Sequence, residues 1–165
     1  MKKVKSFLIR LEKERVWFRN EFRLLGSNKI EDFVVQLEIV EGERHLTPVR
    51  YDMKHNYFHR DIINEHENNV DKQKISVASL EEAVKLSIDD LIQNWRSHLK
   101  IGGYDKLLST LKSFPENAMQ KAKEYLIDLI RHPQKIDTVG NVVNLFLSEG
   151  IGVSDSVQVK LVKKK

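Results

Sequence analysis

The sequence predicts an α+β protein, with an antiparallel sheet of four to five strands covered by one long helix, plus a C-terminal helical subdomain. Three observations lead to this prediction. Up to about residue 77, apolar and polar residues alternate with the period of strands. From Ser79 onwards, apolar residues recur every three or four positions, which is typical of helices. Turn signals such as Glu41-Gly42-Glu43 separate the segments.

The predicted strands lie in the first half of the chain. In the first of them, Phe18, Phe22 and Leu24 share one face, while charged residues occupy the other. A polar loop is predicted over 64–72. Residues 1–15 fit either a strand or a helix, because their apolar residues satisfy both periods. The predicted strands cover residues 16–24, 33–40, 45–53, 56–63 and, as a short strand, 73–77.

The helices follow in the second half. Ser79 can cap the first one, with Glu82 at the position that completes a capping box. Its apolar stripe runs over 84–99 and ends before the glycine pair at 102–103. Further helices are predicted over 104–112, about 115–131 and 138–149, and a final strand over 157–161. The glycine pair divides the chain into an α+β domain, 1–101, and a small helical subdomain with a basic tail, 104–165.

Composition excludes several classes of protein. The 165 residues suffice for one domain with an extension, and the chain has no Cys, which excludes disulfides, thiolate zinc sites and cysteine nucleophiles. No apolar run approaches the roughly 20 residues that a membrane helix needs. The basic start lacks the apolar core of a signal peptide. These observations predict a cytoplasmic protein without membrane partners.

The net charge of +4 is unevenly distributed. Residues 1–25 contain eight Lys or Arg and three Glu, and residues 160–165 contain four Lys. The middle of the chain is mildly acidic. Basic ends can neutralise phosphates, so the distribution is compatible with a nucleic-acid ligand, although a solvated surface has the same composition.

One short segment combines the residue types that chemistry uses. Residues 50–61 contain two Arg, two Asp, two His and two Tyr. If 50–54 and 57–61 pair as antiparallel strands, the turn between them brings Asp52, His55 and His59 close together. Arg60 would then point to the opposite side of the sheet from His59.

Three interpretations of this segment compete. In the first, His55 and His59 carry protons during metal-independent cleavage of RNA, whose 2′-hydroxyl is the nucleophile, while Asp52 or Asp61 orients a His. The substrate contacts are then assigned to Arg50, Arg60, Tyr51 and Tyr57. In the second, a divalent metal binds Asp52, His55, His59 and Asp61. In the third, the charges only fix the register of a hairpin.

Other ionisable residues have ordinary structural interpretations. Asp89 and Asp90 lie on the polar side of the long helix, where we expect them to face solvent. His98 and His132 lie in the last turns of predicted helices, where the helix dipole favours a cationic imidazole.

Six stretches of the sequence carry a resemblance to known proteins: Phe33 to Glu38, Val49 to Asp52, His59 to Ile63, Ala83, Ile88 to Asp90, and Asn94-Trp95. On these residues the sequence resembles a group of small uncharacterised prokaryotic proteins. More distantly it is similar to the TumE-type toxins of toxin–antitoxin pairs, which share an Arg-Tyr-Asp strand followed by clustered histidines. The resemblance covers about residues 15–99. It implies a toxin-like or defence-associated protein that acts on RNA, with a cognate antitoxin as partner. No cofactor is expected, because the metal-independent interpretation of residues 50–61 is preferred to a metal at Asp52, His55, His59 and Asp61. The alternative is a non-enzymatic binding or assembly protein, including a homodimer.

Overall fold

The computed structural model describes residues 2–12, 16–25, 29–53, 57–111, 116–138, 142–148 and 152–160. Within these residues, eight strands form one sheet in the order β6-β5-β4-β3-β2-β1-β7-β8. Neighbouring strands are antiparallel except β1 and β7, which are parallel. The strands are β1 (Lys2–Glu12), β2 (Val16–Leu25), β3 (Lys29–Glu41), β4 (Arg44–Asp52), β5 (His59–Ile63), β6 (Asn69–Lys74), β7 (Val142–Ser148) and β8 (Gly152–Lys160).

The helices follow the sixth strand. They are α1 (Leu80–Ile101), α2 (Asp105–Thr110) and α3 (Glu116–Arg131), and a 3-10 turn (Pro133–Thr138) comes after them. The predicted α+β class, the long helix and the C-terminal helices are therefore confirmed. None of the described helices combines the length and the apolar composition that crossing a bilayer requires.

The sheet is larger than the sequence predicts, for two reasons. The ambiguous N-terminal segment is the strand β1. The helix predicted over 138–149 is wrong, because Val142–Ser148 forms β7 and pairs with β1 and β8. Val142 and Val143 are β-branched, which favours a pleated strand, and strand pairing decides between two periods that the sequence fits equally. The predicted final strand is present as β8.

The core lies between α1 and one face of the sheet. The sheet contributes alternating apolar residues because a strand buries every second side chain. The helix contributes a stripe that begins after Ser79, whose side-chain oxygen accepts from the backbone N–H of Glu82 at 3.1 Å. Fully buried residues on the two sides include Phe18, Phe22, Phe33, Val35, Leu37, Val49 and Tyr51 from the sheet, and Ala83, Val84, Ile88, Leu91 and Leu99 from the helix.

Two glycines allow the turns that close this arrangement. Gly42 has a φ angle of 61° in the β3–β4 hairpin, and Gly103 has a φ angle of 81° after α1. Next to it, Tyr104 is buried and donates its hydroxyl to the backbone carbonyl of Ile63 at 2.7 Å. The end of α1 is thereby attached to the end of β5.

Burial raises the pKa of Tyr104 to about 12. A group whose pKa is higher in the folded state stabilises the fold below its unfolded pKa, and this contribution is lost as pH rises through the folded pKa. Between pH 10 and 12 we therefore expect the free energy of unfolding of the wild type to fall by about 2 kcal/mol more than that of Tyr104→Phe. Urea unfolding at several pH values measures both proteins, and equal losses in the two would contradict the prediction.

Candidate functional site

The register of β4 and β5 brings four ionisable side chains together. Arg50 lies opposite Asp61, and Asp52 lies opposite His59. Because residues two apart on a strand share a face, all four lie on the face of the sheet opposite α1. We call these four residues the carboxylate–histidine cluster. The predicted hairpin, with Asp52 beside His59, is present.

Within this cluster, the imidazole of His59 lies between the two carboxylates. Its Nε2 is 3.1 Å from Asp52 Oδ1 and 3.4 Å from Asp61 Oδ2, and its Nδ1 is 3.4 Å from the backbone carbonyl of Tyr57. The guanidinium of Arg50 lies 3.4 Å from Oδ2 of each carboxylate. Each carboxylate therefore contacts one imidazole and one guanidinium.

The cluster is shielded from solvent except at Arg50. Asp52, His59 and Asp61 are only 2%, 3% and 2% exposed, whereas the Arg50 side chain is 39% exposed. Buried charges are costly unless they are paired, so the mutual contacts are what make this burial possible. A ligand would approach the cluster past Arg50.

A basic and aromatic surface adjoins the cluster. The Tyr57 ring lies 4.9 Å from the His59 ring, and the ammonium groups of Lys74 and Lys72 lie 4.6 Å and 5.9 Å from the Tyr57 ring centroid. Both lysines are exposed on β6, at one edge of the sheet. Asn69, on the same strand, donates to Asp61 Oδ1 at 2.9 Å. We call Arg50, Tyr57, Lys72 and Lys74 the basic surface.

A second polar group lies on the other face of the sheet, beneath α1. Tyr51 donates its hydroxyl to Asp90, and Arg60 Nη1 lies 3.4 Å from the same carboxylate. His98 Nε2 contacts Asp90 at 2.8 Å, and Asn94 donates to it at 2.8 Å. We call these five residues the Asp90 network. It attaches the helix to β4 and β5.

The Asp90 network fixes the charge of two members. Burial raises the pKa of Asp90, but hydrogen bonds from His98, Tyr51 and Asn94 outweigh it, so the pKa of this carboxyl is well below its ordinary range. Burial, followed by the charge of Asp90 and the hydrogen bond to it, raises the pKa of Tyr51 well above its ordinary value. Asp90 is therefore ionised and Tyr51 neutral at pH 7.

The structure separates the sequence-predicted site residues into two groups. Arg50, Asp52, His59 and Asp61 lie together, with Tyr57 beside them. Tyr51 and Arg60 are on the opposite face and contact Asp90 instead. Arg60 points away from His59, as the alternation predicts. His55 lies outside the described residues.

The sequence-predicted site residues omit Lys72 and Lys74 of the basic surface. They also omit Asp90, Asn94 and His98 of the Asp90 network. The expectation that Asp90 faces solvent is wrong, because its carboxylate faces the sheet. Its spacing of four from Asn94 and eight from His98 is the signal that points to the network.

The loop predicted over 64–72 is wrong in its last part, because β6 begins at Asn69 and includes Lys72.

The arrangement can hold a cation as well as a proton. One potential ligand atom each from Asp52, His59 and Asp61 lies within 4.8 Å of the others. Two carboxylates and one imidazole form a donor set suited to Mn²⁺ or Zn²⁺.

Comparison with known proteins places the chain in a family. Residues 1–101 match the family described as "Domain of unknown function (DUF7718)". This region contains the carboxylate–histidine cluster, the basic surface and the Asp90 network. No curated protein and no solved structure matches the chain. The match covers more than half of the sequence, and the chain therefore belongs to the DUF7718 family, a domain of unknown function.

Proposed function

We propose that this chain binds single-stranded RNA at the basic surface and cleaves it at the carboxylate–histidine cluster. One observation carries the proposal: exposed cations and an aromatic ring lie directly beside a buried group of two carboxylates and an imidazole. The cations can hold phosphates, and the buried groups can exchange protons. The two capabilities adjoin on one face of the sheet.

The binding step relies on charge and stacking. Lys72 and Lys74 are exposed, and the hydrogen bond with the Tyr57 side chain raises the pKa of Lys72, which keeps its ammonium charged. Neutralised phosphates release counterions, which makes such binding dependent on salt. Tyr57 is half-buried and offers a ring on which a base can stack, an interaction worth about 1–3 kcal/mol per base.

The cleavage step uses the nucleophile that RNA itself carries. The 2′-oxygen forms a bond to phosphorus while the bond to the 5′-oxygen breaks, giving a 2′,3′-cyclic phosphate and a 5′-hydroxyl. One group must take the proton of the 2′-hydroxyl, and one must return a proton to the 5′-oxygen. His59, Asp52 and Asp61 are the groups that we assign to this transfer. Arg50, the exposed member of the cluster, would turn from the carboxylates onto the phosphate.

The biological role that we propose is that of a cytoplasmic toxin-like protein. The resemblance to TumE-type toxins motivates this role. An unrestrained ribonuclease would damage its own cell. Such a protein requires a partner that holds it inactive, so a cognate antitoxin is part of the proposal.

A second candidate function is that of an assembly protein without enzymatic activity. It is favoured by the contacts of Asp61, which join three strands: Arg50 from β4, His59 from β5 and Asn69 from β6. On this alternative, the cluster fixes strand register, and the chain is a homodimer or binds another protein. A stable dimer in size-exclusion chromatography with light scattering, together with no salt-sensitive RNA affinity, would favour it.

The charge-reversed variant Lys72→Glu/Lys74→Glu tests the binding step. We expect its affinity for a single-stranded RNA to fall at least tenfold, because two phosphate contacts are lost and two repulsive charges are added. The slope of log K against log salt should shrink by about 1.4 for the two contacts. Fluorescence anisotropy at several salt concentrations measures both quantities.

A matched control separates a local effect from a change in net charge. Lys100→Glu/Lys106→Glu reverses two exposed lysines at the end of α1 and in α2. We expect it to retain most of the affinity. Equal losses in the two double variants would mean that RNA is held by overall charge and not by the basic surface.

A further inference from the structure

We propose that Asp52, His59 and Asp61 form a binding site for one divalent transition-metal ion, such as Mn²⁺ or Zn²⁺. The three residues come from the paired ends of β4 and β5, so the sheet fixes their backbone positions. Their side chains are almost completely buried and their potential ligand atoms converge. The proposal goes beyond the proposed RNA cleavage, because metal binding does not require RNA, and the proton transfer assigned above to these three residues applies to the protein without a bound ion.

The distances match those between two ligands of one ion. Metal–ligand bonds of about 2.0–2.2 Å place neighbouring ligand atoms roughly 3.0–3.5 Å apart in octahedral or tetrahedral sites. His59 Nε2 lies 3.1 Å from Asp52 Oδ1 and 3.4 Å from Asp61 Oδ2, which is within that range. The third edge joins the two carboxylate oxygens, which lie within 4.8 Å of each other, so the two carboxylates would move closer together when an ion binds.

The groups around these atoms hold them in a metal-binding orientation. A ligating imidazole commonly donates its second N–H to a backbone carbonyl, and His59 Nδ1 faces the carbonyl of Tyr57 at 3.4 Å. Asn69 donates to Asp61 Oδ1 at 2.9 Å and leaves Oδ2 directed at the imidazole. In the tautomer with its proton on Nδ1, the Nε2 lone pair of His59 meets two carboxylate oxygens. A cation between these atoms removes that repulsion.

The carboxylate charges also favour a cation. Two carboxylates converge on one imidazole, and the guanidinium of Arg50 contacts both of them. Arg50 contacts Oδ2 of both carboxylates, so in its present position it would repel an incoming ion. Its side chain is 39% exposed, so it can turn towards solvent or towards a bound phosphate when the ion enters. Three protein ligands would leave coordination positions for water or a phosphate oxygen.

Titration of the full chain with Mn²⁺ in the absence of RNA tests the site. The signal of unbound Mn²⁺ in electron paramagnetic resonance measures the occupancy. We expect one Mn²⁺ per chain, displaced by Zn²⁺. In Asp61→Asn, the affinity should fall at least tenfold, and in Asn69→Ala, which removes the hydrogen bond to a ligand, about tenfold. Asp128→Asn, in an exposed ion pair on α3, is the matched control and should bind as the wild type does.

Two results would overturn the proposal. One is a folded wild type, by circular dichroism, that shows no saturable binding of Mn²⁺ or Zn²⁺ at millimolar concentration. The other is Mn²⁺ affinity equal to wild type in both Asp61→Asn and Asn69→Ala. If Asp61→Asn does not fold, Asn69→Ala decides alone. Since binding is measured without RNA, a protein that binds Mn²⁺ but leaves RNA intact would refute the proposed cleavage and keep the metal site.

Discussion

Replacing Asp90 by Ala is expected to lower the free energy of unfolding by about 3 kcal/mol. The carboxylate accepts from Tyr51, His98 and Asn94 and pairs with Arg60. The substitution leaves a buried hydroxyl and a largely buried guanidinium without this acceptor, and unpaired buried groups cost their full desolvation. Urea unfolding followed by circular dichroism measures the loss.

Two comparisons show whether the effect comes from the Asp90 network. Asp128→Ala removes a carboxylate from an exposed pair with Lys135 and should leave the stability nearly unchanged. In the double variant Tyr51→Phe/Asp90→Ala, the loss should be smaller than the sum of the single losses, because both variants remove the same hydrogen bond. Additive losses would mean that Tyr51 and Asp90 stabilise the fold independently.

The same carboxylate predicts an acid-dependent difference. The pKa of Asp90 is lower in the folded state than its ordinary value of about 3.9, so its ionisation stabilises the fold above that value. As pH falls below about 4, the unfolded state takes up a proton first, and the contribution declines. The advantage of the wild type over Asp90→Asn should therefore be constant near neutral pH and shrink in acid.

The strands that build the site can be predicted because their sequence has one period. Residues 49–52 and 58–62 alternate between the two faces with Arg60 as the exception, so antiparallel pairing of the two segments is sufficient to place Asp52 beside His59. The C-terminal strand β7 cannot be predicted in this way. Its apolar residues fit both periods, and the choice is made by pairing with β1, which lies more than 130 residues away.

The Asp90 network is harder to predict because burial of polar groups depends on partners from distant segments. Arg60 lies between Phe58 and Ile62 on the side of β5 that is otherwise apolar. A guanidinium buried there requires a hydrogen-bond acceptor from the element that covers this face of the sheet. The acceptor is thirty residues away on α1. A charged residue at an apolar position of a strand is therefore the signal to look for a carboxylate on the covering helix.

Replacing His59 by Ala is expected to reduce the rate of RNA cleavage by about 10²–10⁴-fold, the range found when a positioned acid or base is removed. The rate of RNA cleavage is expected to fall whether the imidazole of His59 transfers a proton or binds a metal ion. RNA affinity should change little, because Lys72, Lys74 and Tyr57 are unaltered. Single-turnover cleavage of a labelled RNA gives the rate, and anisotropy gives the affinity.

The outcome distinguishes a catalytic cluster from one that only fixes strand register. His66→Ala is the matched control, since His66 lies in the β5–β6 loop with 74% of its side chain exposed, and it should cleave as the wild type does. His59→Gln, which keeps a polar group between the carboxylates, guards against loss by unfolding. If the two His59 variants fold and cleave RNA at the wild-type rate, the proposed cleavage is wrong. If affinity and stability fall in parallel with cleavage, the cluster acts by holding β4 and β5 in register, because a residue that serves chemistry alone would leave binding intact.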